Sequence, residues 1–135
     1  MKKYFLLFIF IISLSFTGCF NIDNKSIVGI WKSRPNYNNT TYKVINFLKN
    51  GDCIIKIRNN NIITKIKKCR WTKINNNLIQ LTIISGIKKE VTNFTFDNNI
   101  AFSLNNILYF NENATSNEIA EYQTKYILNL MKGGN

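Results

Sequence analysis

The sequence predicts an all-β protein: an antiparallel up-and-down meander of about eight strands forming a small barrel, followed by one C-terminal amphipathic helix. Three observations predict it. Short runs rich in Ile, Val, Thr, Phe and Tyr recur along the chain. Asn clusters separate them, because Pro occurs once and Gly only six times in 135 residues. After residue 113 the apolar spacing changes from a period of two to that of a helix.

The Asn clusters are Asn38-Asn39, Asn59-Asn60-Asn61, Asn75-Asn76-Asn77, Asn98-Asn99 and Asn105-Asn106. Asn tolerates positive φ, so each is read as a turn. The strands between them fall near 27–33, 41–49, 53–58, 63–74, 78–85, 90–97, 100–104 and 107–111. Alternation supports several of them, since successive side chains of a strand face opposite ways. Ile79, Leu81 and Ile83 share one face against Gln80 and Thr82, and Phe94 and Phe96 oppose Asn93 and Thr95. Ile100, Phe102 and Leu104 share a face beyond the turn at Asn98-Asn99, so this stretch reads as consecutive hairpins around one core.

The segment from Cys53 to Trp71 carries a register argument. A two-residue turn at Asn60-Asn61 sets Ile57 opposite Thr64 and Ile55 opposite Ile66, with Lys56, Arg58, Lys65 and Lys67 outside. Continued unchanged, that register would bury Lys68 and Arg70. Cys69 and Trp71 resume the apolar pattern instead, which requires one extra residue, read as a β-bulge at Lys67-Lys68. Cys69 then faces Cys53 within disulfide range. Two buried free thiols are the alternative.

The C-terminal segment opens on Thr115-Ser116-Asn117-Glu118, a capping box with Thr115 at N-cap and Glu118 at N3. Ile119, Tyr122, Tyr126, Ile127, Leu130 and Met131 form an apolar stripe, and Gly133-Gly134 ends the helix. The stripe suits packing on the barrel or docking on a partner or a membrane surface.

The N-terminus is of another kind. Lys2 and Lys3 precede an apolar run from Tyr4 to Leu14, too short to span a bilayer core of about 30 Å and typical of a secretory signal. The hexapeptide Leu14-Ser15-Phe16-Thr17-Gly18-Cys19 resembles the lipobox of bacterial lipoproteins, with Phe16 where the family usually has Leu. The resemblance implies cleavage after Gly18, leaving Cys19 with thioether-linked diacylglycerol and an amine acylated with palmitate. Such a multi-chain anchor is effectively permanent. Phe20 follows in place of the Asp that retains many such proteins in the inner membrane, which points to the outer membrane. The expected organisation is a signal peptide at 1–18, a lipidated Cys and linker at 19–26, a barrel at 27–112 and a helix at 113–135.

Without residues 1–18 the net charge falls from +11 to about +9. A basic surface suits anionic lipid, acidic glycan or nucleic acid, and it also accompanies a composition dominated by Ile, Asn and Lys. Histidine is absent, which removes the commonest general base and metal ligand. The seven carboxylates are scattered, and no paired carboxylates, phosphate loop, Cys/His cluster or nucleophile motif is present. The chain is therefore read as non-enzymatic, without cofactor or metal. Membrane anchoring outside the cytoplasm argues against nucleic acid. With Cys19 acylated, Cys53 and Cys69 remain as a pair suited to an oxidising compartment.

The stretch Ile27-Val28-Gly29-Ile30-Trp31-Lys32 opens the domain with Gly-x-Trp and resembles the first strand of lipocalin-like domains. There the Trp fills the closed end of the barrel and the Gly allows a close strand crossing. Asn46-Phe47-Leu48-Lys49-Asn50-Gly51-Asp52 resembles the family's second strand and turn. Arg70-Trp71-Thr72-Lys73-Ile74 and Leu78-Ile79-Gln80-Leu81 resemble later strands of small lipocalin-like lipoproteins. Arg residues end at Arg70, so the family's late Arg over the Trp has no counterpart. The resemblance implies a non-enzymatic envelope lipoprotein binding a small apolar or amphipathic molecule, with Trp31, Phe47, Trp71, Phe94, Phe96 and Phe102 lining the interior. A collapsed barrel with these six as packed core is the alternative. The rival function is a protein-interaction module, serving an envelope or secretion assembly or inhibiting a periplasmic enzyme.

Overall fold

The computed structural model describes residues 26–34 and 40–133. Residues 1–25, which hold the expected signal peptide and Cys19, and residues 35–39 and 134–135 lie outside them. Eight strands and one helix follow in order: β1 (Gly29–Ser33), β2 (Thr41–Phe47), β3 (Asp52–Asn59), β4 (Ile62–Lys73), β5 (Leu78–Ser85), β6 (Lys88–Thr95), β7 (Ala101–Leu104), β8 (Ile107–Asn111) and α1 (Ser116–Lys132). All strand pairs are antiparallel, in the order β6-β5-β4-β3-β2-β1-β8-β7. The sheet curls into a half-barrel. Chain order is kept around it, with β1 bonded to β8, and the ladder is interrupted between β6 and β7.

Two of the Asn clusters act as turns for the expected reason, while Asn38-Asn39 lie outside the described residues. Asn60 and Asn61 take φ of 48° and 67°, and Asn105 and Asn106 take 51° and 62°. Two consecutive positive-φ residues match the right-handed twist of the flanking strands, so both are tight two-residue hairpins. Asn75 works differently: its side chain accepts hydrogen bonds from the Asn77 and Leu78 N–H groups, each at 2.9 Å.

Two local expectations need correction. The first concerns residues 96–101. Asp97 to Ile100 do not join β6 and β7 as a hairpin, because the Asn98 side chain caps the Ile100 and Ala101 N–H groups at 2.9 Å each and turns the chain away. Ile100 leaves the core face and lies half-buried outside it. The seam is closed by side chains instead: Phe94 of β6 stacks on Phe102 of β7, centroids 4.6 Å apart and 26° between planes.

The second concerns the bulge. It lies between Ile57 and Arg58 on β3, opposite Thr64, with Ile57 facing Lys65 and Arg58 facing Ile63. The Thr64 hydroxyl donates to the Ile57 carbonyl at 3.1 Å, supplying a local partner at the irregularity. Cys53 therefore faces Cys69 as expected, but the faces of the intervening residues invert. Lys65 and Lys67 stand opposite Ile57 and Ile55, respectively, on the inner side of the ladder, and Ile66 turns outward opposite Lys56.

The core contains Ile27, Trp31, Ile45, Phe47, Cys53, Ile55, Cys69, Ile79, Leu81, Phe94, Phe96, Phe102, Leu104 and Tyr109. Trp31 is fully buried in it and donates its indole N–H to the Ile27 carbonyl at 2.8 Å. Gly29 has φ of 136°, and a side chain there would meet nothing within 4 Å. Backbone conformation, not a close strand crossing, accounts for glycine at that position. Burial of this aromatic set is the dominant favourable term in a chain with so little regular helix.

Candidate functional site

The six aromatics expected inside do come together, as a packed cluster. Trp31 lies 5.6 Å from Phe96 and 5.0 Å from Phe102. Phe47 contacts Trp71, Phe94 and Phe102 at 6.2, 6.3 and 6.2 Å. Five of them are buried and Trp71 is half-buried. Trp71 also staples the β2–β3 turn: its indole N–H donates to the Leu48 carbonyl at 2.9 Å and its backbone N–H to the Gly51 carbonyl at 2.8 Å. The rings thus pack edge-to-face or tilted against one another in the interior.

Tyr109 is a core member that alternation alone did not single out. Its ring stacks on Phe102 at 5.2 Å and 11°, and burial pushes its phenol up to about 12. Above it, at the other end of the barrel, a pocket of about 60 Å³ is bounded by Lys43, Lys67, Ile57, Ile83, Asn105 and Ile107 among others. That volume accommodates roughly two waters or one small polar group.

The helix begins as its capping box dictates. The Thr115 backbone N–H and hydroxyl donate to the Glu118 carboxylate at 2.8 and 2.9 Å, and the Glu118 N–H donates back to the Thr115 hydroxyl at 3.3 Å. The Thr115 backbone N–H, and then its hydroxyl, hold the Glu118 carboxyl below its ordinary value. Gly133 ends the helix with φ of −83°, its N–H donating to the Asn129 carbonyl at 3.1 Å.

Only the first part of the stripe docks. Tyr122 meets Phe110 of β8 edge-on at 6.3 Å. Burial, and secondarily the Asp97 charge, raises the Tyr122 phenol. A groove of about 330 Å³ runs between the helix and residues 97–100, lined by Asp97, Asn98, Tyr122, Lys125 and Tyr126 among others. Beyond it the helix leaves the sheet: Ile127, Leu128, Leu130 and Met131 are 56, 50, 61 and 72% exposed. Four large apolar side chains in five positions thus face solvent.

Cys53 and Cys69 form a disulfide across the β3–β4 ladder, their Cα atoms 4.8 Å apart. Cys19 lies outside the described residues. Among the described residues no three His, Cys, Asp or Glu side chains are placed to share a metal ion. Comparison with protein-family models, with curated proteins and with solved structures found no match.

Proposed function

We propose that this chain is a non-enzymatic lipoprotein of the bacterial envelope, tethered through Cys19 to the outer membrane, whose lipocalin-like barrel is a solid scaffold presenting a binding surface to an envelope protein. The lipobox-like hexapeptide supports the tether, and the Cys53–Cys69 disulfide suits an oxidising compartment. One observation carries the choice of a surface over an interior ligand. The aromatic interior is packed and its mouth offers about 60 Å³, well below the roughly 300 Å³ of small-molecule sites. Meanwhile the C-terminal half of the helix holds Ile127, Leu128, Leu130 and Met131 in solvent. Contiguous apolar exposure on so small a protein is the mark of an interaction surface. Tethering supplies the effective concentration that a small surface lacks.

The test is photo-crosslinking in cells from a benzophenone amino acid placed at Leu130, with Lys49 in the β2–β3 turn as control. A discrete adduct from Leu130, none from Lys49, and a lower yield in Cys19→Ser agree with the proposal. No adduct from Leu130, together with a small apolar molecule co-purifying with the full chain, sinks it in favour of an interior ligand.

A further inference from the structure

The outer face of the sheet carries a pattern that the helix does not explain. On β3, Ile54, Lys56 and Arg58 point outward at two-residue spacing. Their ladder partners continue the row. Arg58 faces Tyr42 and Ile63, Lys56 faces Val44 and Ile66, and Ile54 faces Asn46 and Lys68. Lys32 of β1 faces Val44 on the other side. These residues border a groove of about 200 Å³ containing Lys32, Lys56 and Arg58 against a single carboxylate, Glu112.

The charges in this groove are unevenly satisfied. Glu112 pairs with Lys32 at 3.7 Å, and the other ion pair among the described residues joins Arg70 to Asp52 at 3.5 Å. Among the described residues Lys56 and Arg58 are left without a carboxylate. Moreover, the Nε of Arg58 is shielded from solvent and has no hydrogen-bond partner. A buried guanidinium N–H without an acceptor costs free energy comparable to a lost charged hydrogen bond. An anion in the groove would face the two lining cations, Lys56 and Arg58, that no carboxylate among the described residues neutralises.

A second groove, of about 340 Å³, adjoins the first and shares Ile54 with it. Its walls include Leu48, Ile54, Ile66 and Ile84, with Lys68 and Arg70 among its lining residues. A cationic groove leading into an aliphatic one matches an amphiphile with an anionic head. Tyr42 is the one aromatic residue among those lining the two grooves, so there is no platform for stacked bases.

We propose that the outer face of β1–β5 binds an anionic phospholipid, its phosphate held by Lys56 and Arg58 and its proximal acyl segment lying along Ile54, Ile66 and Ile84. This site is separate from the exposed helix and stands whether or not the helix has a partner.

The test uses the full-length chain in a non-ionic detergent, titrated with dihexanoyl phosphatidylglycerol, dihexanoyl phosphatidylcholine and glycerol 1-phosphate, with backbone amide shifts on β2, β3 and β4 as the readout. Phosphatidylglycerol is expected to bind about tenfold more tightly than phosphatidylcholine, and glycerol 1-phosphate more weakly than phosphatidylglycerol. Arg58→Gln and Lys56→Gln should each weaken phosphatidylglycerol binding by about tenfold. Ile66→Asn should weaken the lipid and leave glycerol 1-phosphate unchanged. Equal affinity for the two lipids overturns the proposal. So does indifference to Lys56→Gln, a half-buried surface position that keeps the test alive if the Arg58 variant misfolds. Glycerol 1-phosphate binding as tightly as the lipid would identify the ligand as a free phosphate ester and overturn the lipid assignment.

Discussion

Cys53 and Cys69 face each other across β3 and β4 because one extra residue, Thr64, is accommodated near the Asn60-Asn61 turn. Without it the two-residue turn would set Cys53 opposite Lys68. The bulge therefore decides two things together: which side chains can form the disulfide, and which lysines lie on the inner side of the ladder. It links local turn chemistry to a covalent staple four residues from Ile57 on β3 and five from Thr64 on β4.

Deleting Thr64 should leave the disulfide intact, since Arg58–Ile63 and Ile57–Lys65 then become consecutive pairs of one uniform ladder. Deleting Lys68 should move Cys69 to the outer face and leave two free thiols. Alkylation under denaturing conditions followed by mass measurement, in a Cys19→Ser background, distinguishes the two. Free thiols in the Thr64 deletion would show that the register depends on something other than this bulge. Cys53→Ser with Cys69→Ser should lower stability by about 3 kcal/mol, the chain-entropy expectation for a loop of this length, read from urea midpoints.

Phe102 sits among Trp31, Phe47, Phe94 and Tyr109 and closes the unpaired seam between β6 and β7. Phe102→Ala should cost about 3–5 kcal/mol by cavity formation, enough to unfold a domain of marginal stability at moderate temperature. Phe102→Leu keeps much of the volume and should cost less. Thermal unfolding followed by near-ultraviolet circular dichroism reads both, and equal losses would mean that ring stacking outweighs volume at the seam.

Tyr109 predicts an alkaline limit to stability. Its phenol ionises near 10 when unfolded and at about 12 when folded, because burial disfavours the phenolate. Below pH 10 both states hold the proton and its contribution is fully present. Between pH 10 and 12 the unfolded state loses the proton first, so stability falls with rising pH, by on the order of 2–3 kcal/mol. Tyr109→Phe keeps the stack on Phe102 and removes the titration. Its urea midpoint should consequently decline less steeply across that window than the parent's, whereas parallel declines would assign the effect elsewhere.

Thr115→Ala removes an N-cap whose hydroxyl accepts from Glu118 N–H. A loss of about 1 kcal/mol is expected, confined to the helix because α1 has no buried residue. Amide exchange should accelerate by about fivefold over the first two turns while the strand amides stay unchanged. Acceleration throughout the sheet would mean that helix and barrel unfold as one unit.

Much of the fold was legible from local signals. Strand positions followed from period-two alternation between Asn clusters, and the positive φ at Asn60, Asn61, Asn105 and Asn106 is the property that made those clusters readable as turns. The capping box at Thr115 and Glu118 was readable because it is a contact within four residues. Phe94, Phe96 and Phe102 were identifiable as inward by the same alternation, whereas Trp31 and Phe47 were expected inside only from the resemblance to lipocalin-like domains. Less was legible of the candidate binding surfaces. The exposed Ile127 to Met131 segment looks, in sequence, like the continuation of the docked stripe that holds Tyr122.

By itself the sequence determined the identity and order of the elements and marked Cys53 and Cys69 as candidates for pairing, both consequences of spacing along one strand pair or one helix. The tertiary structure alone decided where the bulge sits, since a single extra residue satisfies the pattern near the start of β4 or at its middle until the Thr64 hydroxyl and the Ile57 carbonyl are brought together. It also decided that the seam between β6 and β7 is held by rings without a ladder, and that the helix outruns the sheet beneath it. The unpartnered Arg58 Nε emerged only there as well. Each of these depends on distances between residues far apart in the chain, which periodicity does not encode.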